Sequence, residues 1–372
     1  MNRIILLDID GVLVQPGGYR AALRATLQRF IDPAFEITED DLSDLEMRGI
    51  TSEWDMAPLL LASYWDFILA RQPMPNLPSN VSHAAREIQS RRRVDVPKRL
   101  PIPAFPLTAG QYPAESAFRA GLFPSIPDEL RKNLLTETRS IHKSETMRTF
   151  QHFTLGSRHF EETYRLPAEF ETESLLLKYD RANMDDTIRA ALQGAGNHLA
   201  AFTARPSRPP REVSGSALGY APEAELALEL VGLQNIPLLA FGKLEYLAAR
   251  HQLDAEVLLK PSSFHALAAA LAAWTGEELA ALRAAYDWRN SGALNGRFSA
   301  LPASFELIVA EDTLSGIRSA QAAGEILRAG GFHVTFRPFG LTCGSAAKAG
   351  AFDRAGVPRY ADWQSLVEAM MR

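Results

Sequence analysis

Two aspartates near the start of the chain, Asp8 and Asp10, have the spacing and the place of a pair that can do chemistry. They follow the apolar run 4–7, which is typical of a strand buried on both faces, and Gly11 after them permits a sharp turn. One carboxylate of such a pair can attack an electrophile while the other moves protons. Asp-x-Asp-Gly is also ordinary turn composition, so this stretch alone leaves both interpretations open.

Polar residues also follow three later apolar runs that we predict to be strands. The runs 199–202, 257–259 and 307–310 are followed by Thr203, by Lys260 and by Glu311 with Asp312. Helical patterns separate these runs, and strands that alternate with helices form parallel sheets. Because the carboxyl ends of parallel strands share one edge of the sheet, we expect these groups to converge with the two aspartates.

Residues of these types are the ones that phosphoryl transfer needs. Asp8 can attack phosphorus and form an aspartyl-phosphate, while Asp10 can protonate the leaving oxygen and later deprotonate water. Phosphate and carboxylates repel each other, so a divalent cation is required, and Mg²⁺ suits carboxylate and water oxygens. The Thr203 hydroxyl and a backbone N–H at Ala204 can bind the non-bridging oxygens. The Lys260 ammonium can offset the charge that remains.

The order and spacing of these motifs resemble those of the haloacid dehalogenase (HAD) superfamily of phosphohydrolases. The four motifs of that superfamily match residues 8–13, residues 199–203, Lys260 with Pro261, and residues 309–317 continuing to 320–324. The Glu-Asp form of the last motif is most similar to the branch of β-phosphoglucomutase and phosphoglycolate phosphatase. The resemblance covers residues 1–15 and about 195–372.

The resemblance implies a role for each matched residue. Asp8 would be the nucleophile and a ligand of Mg²⁺. Asp10 would be the acid and base and would give its main-chain carbonyl to the metal. A carboxylate at position 10 argues for phosphate chemistry, because members of the superfamily that displace halide lack it. The remaining roles are phosphate binding by Thr203, stabilisation of the phosphoryl group by Lys260, and metal binding by Asp312 and, directly or through water, by Glu311.

Two other basic residues leave alternatives open. Lys243 also follows an apolar run, but Lys260 fits the third motif better, because it precedes Pro261 and a helix. We therefore predict that Lys243 is a surface residue at the start of a helix. Arg205, in the turn Thr-Ala-Arg-Pro, can either touch phosphate or serve the structure.

The length of the chain and the order of its patterns predict two domains. At 372 residues the chain exceeds one typical hydrophobic core. We predict an α/β fold in which residues 1–15 and 190–372 form a Rossmann-like parallel sheet flanked by helices. Residues 16–189 would form a large, mainly α-helical cap inserted after the first strand, with an irregular, proline-rich stretch at 73–127. Caps of this kind close over the active site and select the substrate.

One stretch of the predicted cap is a candidate for contact with the substrate. Residues 48–53 are similar to the substrate-contacting loop of β-phosphoglucomutase-like caps. Arg48 can clamp an anionic group, and Thr51 is a second candidate. A helix end with a glycine stop and a capping Thr-Ser explains the same residues equally well.

The composition argues against several classes of protein. A net charge of −5 gives no support to nucleic-acid binding, and no apolar run approaches the length of a membrane span. The single cysteine, Cys343, excludes a disulfide within the chain and a thiolate-built zinc site. Since the sequence begins directly with a strand pattern, we expect a soluble, cytoplasmic protein. We expect a monomer or a homodimer, and the sequence does not distinguish between them.

The sequence thus predicts a Mg²⁺-dependent phosphatase that hydrolyses a small phosphorylated metabolite. A phosphomutase of the β-phosphoglucomutase type is an alternative, since it uses the same aspartyl-phosphate. A catalytically silent relative that binds a ligand or a partner is a third possibility.

Overall fold

The computed structural model describes residues 2–108, 110–213, 219–294 and 296–372. The chain forms two compact units. Met1–Pro16 and Asp180–Arg372 make up the first, the core unit, and Gly17–Tyr179 make up the second, the inserted unit. The core unit resumes at Asp180 rather than at the predicted residue 190, because residues 181–182 pair with residues 14–15.

The strands of the described chain belong to the core unit. In chain order they are β1 (Arg3–Leu7), β2 (Val14–Gln15), β3 (Arg181–Ala182), β4 (Asn197–Phe202), β5 (Leu238–Leu239), β6 (Ser304–Glu311), β7 (His333–Leu341) and β8 (Arg359–Tyr360). Six of them form one parallel sheet in the order β5-β4-β1-β6-β7-β8, and β2 pairs with β3 in an antiparallel ladder. The predicted α/β class with a parallel sheet is confirmed.

Helices account for most of the remaining regular structure. Those of the inserted unit are α1 (Gly18–Phe30), α2 (Glu39–Met47), α3 (Glu53–Arg71), α4 (Val81–Arg91), α5 (Pro113–Arg119), α6 (Asp128–Leu135), α7 (Glu145–Tyr164, interrupted at Gly156) and α8 (Leu175–Tyr179). Those of the core unit are α9 (Asp186–Leu192), α10 (Glu223–Leu230), α11 (Phe241–His251), α12 (Ser263–Thr275), α13 (Glu278–Ser291), α14 (Leu314–Ala329), α15 (Ala346–Ala355) and α16 (Trp363–Met371). Among the described residues, no helix is both long and apolar enough to cross a membrane.

Strand β1 lies inside the sheet and is buried on both of its faces. Ile4 and Leu6 join a hydrophobic cluster with residues of α12 and α14, whereas Ile5 and Leu7 join a second cluster with residues of α9, α10 and α16. Successive side chains of a strand point to opposite faces, so a strand covered on both sides needs an unbroken apolar run. This explains the four consecutive apolar residues ahead of Asp8.

Two local predictions are wrong. The proline-rich stretch 73–127 contains α4 and α5, because Asn80 caps α4 by accepting a hydrogen bond from the backbone of His83, and Pro113 lies at the first position of α5. The predicted strand 257–259 is instead the end of a 3₁₀ turn, Ala255–Leu258. Its start is fixed by the Asp254 carboxylate, which accepts a hydrogen bond from the Glu256 N–H at 2.9 Å.

Candidate active site

The register of the sheet places Asp8 directly beside Glu311. Leu7 of β1 lies opposite Ala310 of β6, and the Asp8 N–H donates to the Ala310 carbonyl at 3.1 Å. On the other side of β1, Leu7 lies opposite Ala201, so Asp8 is level with Phe202 and one residue short of Thr203. The carboxyl ends of three neighbouring strands therefore deliver the residues of three predicted motifs to one edge of the sheet.

The Lys260 ammonium lies between two of these carboxylates. Its Nζ is 2.8 Å from Asp8 Oδ1 and donates to Glu311 Oε1 at 2.5 Å, and it lies 4.2 Å from the centre of the Phe202 ring. Burial lowers the pKa of Lys260, but the carboxylates of Asp8 and Glu311 outweigh burial and raise this pKa above its ordinary value. Lys260 is thus a fixed positive charge beside Asp8, and its predicted contact with a phosphoryl group stays a prediction.

The Asp8 carboxyl occupies an unusual environment for an acid. Burial and the Glu311 charge raise the pKa of Asp8 to about 7, against the opposing influence of Lys260. Asp8 Oδ1 is buried and accepts no well-aligned hydrogen bond from the described residues, although the Lys260 ammonium is close. A second cation bound to the Asp8 oxygens would compensate the buried negative charge, in addition to Lys260.

Glu311 is held in place from both ends of its carboxylate. Oε1 accepts from Lys260, and Oε2 accepts from the N–H groups of Asp312 and Thr313, each at 2.8 Å. The backbone of Gly316 packs so closely against this carboxylate that a Cβ there would lie 1.8 Å from Oε1. Glu311 therefore orients Lys260 and the Asp312 backbone, in addition to its predicted place among the acids.

Asp312 pairs with a lysine that the sequence did not indicate. Lys348 Nζ donates to Asp312 Oδ2 at 2.5 Å. Burial and the Asp8 charge raise the pKa of Asp312, and Lys348 lowers it. Lys348 follows the loop after β7, at the same edge of the sheet, so the end of that strand was the signal that could have pointed to it.

The three acids fit a divalent cation. Asp8, Glu311 and Asp312 offer carboxylate oxygens that all lie within 4.8 Å of one another. Oxygen donors of this kind suit Mg²⁺. Because both oxygens of Glu311 already accept hydrogen bonds, Asp8 and Asp312 are the carboxylates that would hold such an ion most directly, with the Asp10 carbonyl as the predicted third ligand.

Asp10 is bound by an arginine that the sequence left ambiguous. Arg205 donates from Nε to Asp10 Oδ2 at 2.8 Å and from Nη2 to Asp10 Oδ1 at 2.6 Å. Arg205 Nη2 also donates to Asp180 Oδ2 at 2.9 Å, and both side chains of this second pair are buried. No local pattern distinguished Asp180 from an ordinary polar residue, so sequence analysis missed it.

The Thr203 hydroxyl can still donate to a phosphate, whereas the Thr203 N–H is used within the sheet. Its N–H donates to the Leu239 carbonyl at 3.0 Å as part of the sheet, while its hydroxyl accepts from the Arg205 N–H at 3.3 Å. The hydroxyl of Thr203 and the N–H of Ala204 therefore remain the predicted phosphate donors. Both stay predictions.

Lys243 does not lie on the surface, contrary to the prediction. Its side chain is only 1% exposed, and its ammonium donates to Glu225 at 2.9 Å and to the Arg208 carbonyl at 3.1 Å. The buried Glu278 carboxylate lies 3.8 Å away. The charge of Lys243 is thus balanced by residues that are distant in sequence, so the local sequence does not reveal its burial. Lys260, in contrast, lies against Asp8.

The two candidate substrate contacts belong to the inserted unit. Arg48 donates to the carbonyls of Ile102 and Pro103, each at 2.9 Å, and its guanidinium lies over the Phe105 ring. This arginine thus fastens a segment of its own unit, and the exposed Thr51 follows the glycine turn after α2. Their predicted contact with a substrate stays a prediction.

The fold has a counterpart among solved structures. No protein-family model matches the chain, and no curated protein matches it either. An X-ray structure of a Northeast Structural Genomics Consortium target, ZR25, is similar to this chain with a TM-score of 0.63 and 15% sequence identity. The similarity covers 100% of this chain and 99% of that one. At this identity the similarity concerns the fold alone.

Proposed function

We propose that the protein is a Mg²⁺-dependent phosphohydrolase of the HAD type that works through an aspartyl-phosphate on Asp8. The observation that carries the proposal is the convergence of Asp8, Lys260 and Asp312 at one edge of a parallel sheet, with Lys260 Nζ 2.8 Å from Asp8 Oδ1. A carboxylate nucleophile, a fixed ammonium and a second acid for a cation are the groups that transfer of a phosphoryl dianion requires.

In the first chemical step, an Asp8 oxygen attacks phosphorus while the bond from phosphorus to the ester oxygen breaks. The leaving oxygen takes a proton from Asp10. Lys260 and the Thr203 hydroxyl stabilise the negative charge on the transferring group. A bound Mg²⁺ would offset the repulsion between the Asp8 carboxylate and the phosphate oxygens.

In the second step, Asp10 removes a proton from water, whose oxygen attacks the phosphorus of the aspartyl-phosphate. The bond from phosphorus to Asp8 breaks, inorganic phosphate leaves, and the Asp8 carboxylate is restored. Asp10 regains in this step the proton that it gave in the first, so one residue serves both directions of proton transfer.

The inserted unit, Gly17–Tyr179, takes the place of a cap in this proposal. In the superfamily that the motifs resemble, a cap that follows the first strand closes over the active site and selects the substrate. On this view the core unit supplies the chemistry and the inserted unit supplies selectivity for a small phosphorylated metabolite.

Release of phosphate from a panel of phosphate monoesters, with and without Mg²⁺, tests the proposal. We expect Mg²⁺-dependent release by the wild-type protein and a loss of about 10³-fold or more in Asp8→Asn, because the amide is not a nucleophile toward phosphorus. Asp287→Asn, at an exposed position of α13, is the matched control and should keep wild-type activity. Circular dichroism checks that each variant is folded.

Two outcomes decide against the proposal. If no ester releases phosphate and the wild type equals Asp8→Asn, the protein is not a phosphohydrolase. If a sugar phosphate is isomerised without net release of phosphate, the protein is a phosphomutase instead.

A further inference from the structure

We infer that Arg205, anchored by Asp180, is a positioning residue for Asp10 and fixes the orientation of its carboxylate. The inference rests on the proposed function, in which Asp10 is the acid and the base. It adds two residues to the working machinery of the core unit, Arg205 and Asp180.

The contact between Arg205 and Asp10 has two points. Nε donates to Oδ2 at 2.8 Å and Nη2 donates to Oδ1 at 2.6 Å. Two parallel hydrogen bonds between planar groups fix the plane of the carboxylate as well as its place. A single ammonium at the same position would leave the carboxylate free to turn, because an ammonium acts as a point charge.

Asp180 keeps the guanidinium in place independently of Asp10. The side chains of Arg205 and Asp180 are 2% and 3% exposed, whereas that of Asp10 is 35% exposed. Removing either member of a buried ion pair leaves an uncompensated charge, so the buried pair is the fixed part of the group. Asp10 is the solvent-exposed member of the group. A residue that transfers protons needs such exposure in order to contact substrate and water.

The Arg205 backbone links this group to the predicted phosphate site. Its N–H donates to the Thr203 hydroxyl at 3.3 Å, so one short segment after β4 holds both Asp10 and Thr203. The geometry therefore fixes the Asp10 carboxylate against the same short segment that carries Thr203.

Dependence on the leaving group separates positioning from a structural role. We expect Arg205→Lys to lower kcat/KM about 100-fold or more for an alkyl phosphate, whose alkoxide needs a proton to leave. For p-nitrophenyl phosphate we expect a loss of less than about tenfold, because nitrophenolate leaves without a proton. The ratio kcat/KM reports the steps up to phosphoryl transfer, so the later attack of water does not obscure the comparison.

Asp180→Asn and Arg3→Lys complete the experiment. Asp180→Asn removes the anchor of Arg205. It should also lower kcat/KM more for the alkyl phosphate than for p-nitrophenyl phosphate, but by less than Arg205→Lys does. Arg3→Lys changes an arginine that pairs with Glu306 at 3.0 Å, at the end of the sheet far from Asp8. This variant should leave kcat/KM for both substrates unchanged. Equal losses for the two substrates in Arg205→Lys and Asp180→Asn, or losses of the same size in Arg3→Lys, would overturn the inference.

Crystal structures of the wild type and Arg205→Lys give a readout that does not depend on activity. We expect the Asp10 carboxylate to turn away from its wild-type orientation in the variant. If the wild type releases phosphate from neither ester, the proposed function fails, and the crystal structures still decide the positioning role. An unchanged Asp10 in Arg205→Lys then overturns it.

Discussion

Gly11 lies tightly against the Asp312 carboxylate at the candidate active site. Its φ is +72°, and a Cβ at this position would lie 2.2 Å from Asp312 Oδ2 and 3.0 Å from Lys348 Nζ. L-residues with side chains rarely adopt this backbone conformation. Glycine at position 11 thus serves two purposes, since it permits the turn after Asp10 and leaves room for the Asp312 carboxylate.

We predict that Gly11→Ala lowers the affinity for Mg²⁺ about tenfold, because its methyl group displaces the Asp312 carboxylate. Gly292→Ala is a matched control, since Gly292 has a φ of +71° but nothing within 4 Å of its Cβ position. Both variants should lose about 1–2 kcal/mol of folding free energy from backbone strain. Calorimetric Mg²⁺ titration and chemical denaturation measure the two effects. Unchanged Mg²⁺ affinity in Gly11→Ala would contradict the prediction.

The residues that sequence analysis placed correctly are those whose signal is local. Asp8 and Lys260 each follow an apolar run directly and begin a motif, and the structure brings them together. Arg205 and Asp10 are 195 positions apart, and the sequence around each residue does not indicate that the two side chains are in contact. Asp180 had no signal at all, because a buried aspartate and an exposed one look alike in a single sequence.

At the scale of elements, α15 brings a positive charge to the acids. Ser345 caps this helix by accepting a hydrogen bond from the Lys348 N–H at 3.4 Å, and the Lys348 side chain reaches Asp312. A metal ion held by Asp312 would bind the same carboxylate as this ammonium. On the proposed function, Lys348 and Mg²⁺ would therefore compete for the Asp312 carboxylate.

We predict that Lys348→Gln binds Mg²⁺ about tenfold more tightly than the wild type, which corresponds to roughly 1.4 kcal/mol, because the competing charge is gone. Arg354→Gln is the control, since it removes one positive charge from an exposed position of the same helix. Calorimetric titration of the protein without substrate gives both affinities. An equal rise in the two variants would mean that net charge, and not the contact with Asp312, sets the affinity.

Predictions of elements succeeded where one pattern dominates. Strands β1, β4 and β6 were predictable because a strand covered on both faces must be continuously apolar. The stretch 255–259 was not, since a short apolar run fits a strand or a tight turn, and the Asp254 cap decides between them. The proline-rich stretch concealed α4 and α5 because several of its prolines precede helices, where they are well tolerated.

At the scale of the molecule, each unit has its own hydrophobic core. The two clusters that cover the parallel sheet draw on residues of the core unit alone, and the large cluster of the inserted unit draws on residues of that unit alone. The chain leaves the core unit after β2 and returns at β3. These strands pair in an antiparallel ladder, with Gln15 opposite Arg181.

This topology predicts that the core unit folds without the insertion. A short Gly-Ser linker between Pro16 and Asp180 closes the β2–β3 ladder as a hairpin and keeps Asp180 beside Arg205. We expect a cooperative thermal transition and a Mg²⁺ affinity within about threefold of the full-length value, because every predicted metal ligand lies in the core unit. The full chain with the same linker inserted after Pro16 controls for the linker itself. A shortened protein that melts without cooperativity would show that the core unit depends on the insertion for its stability.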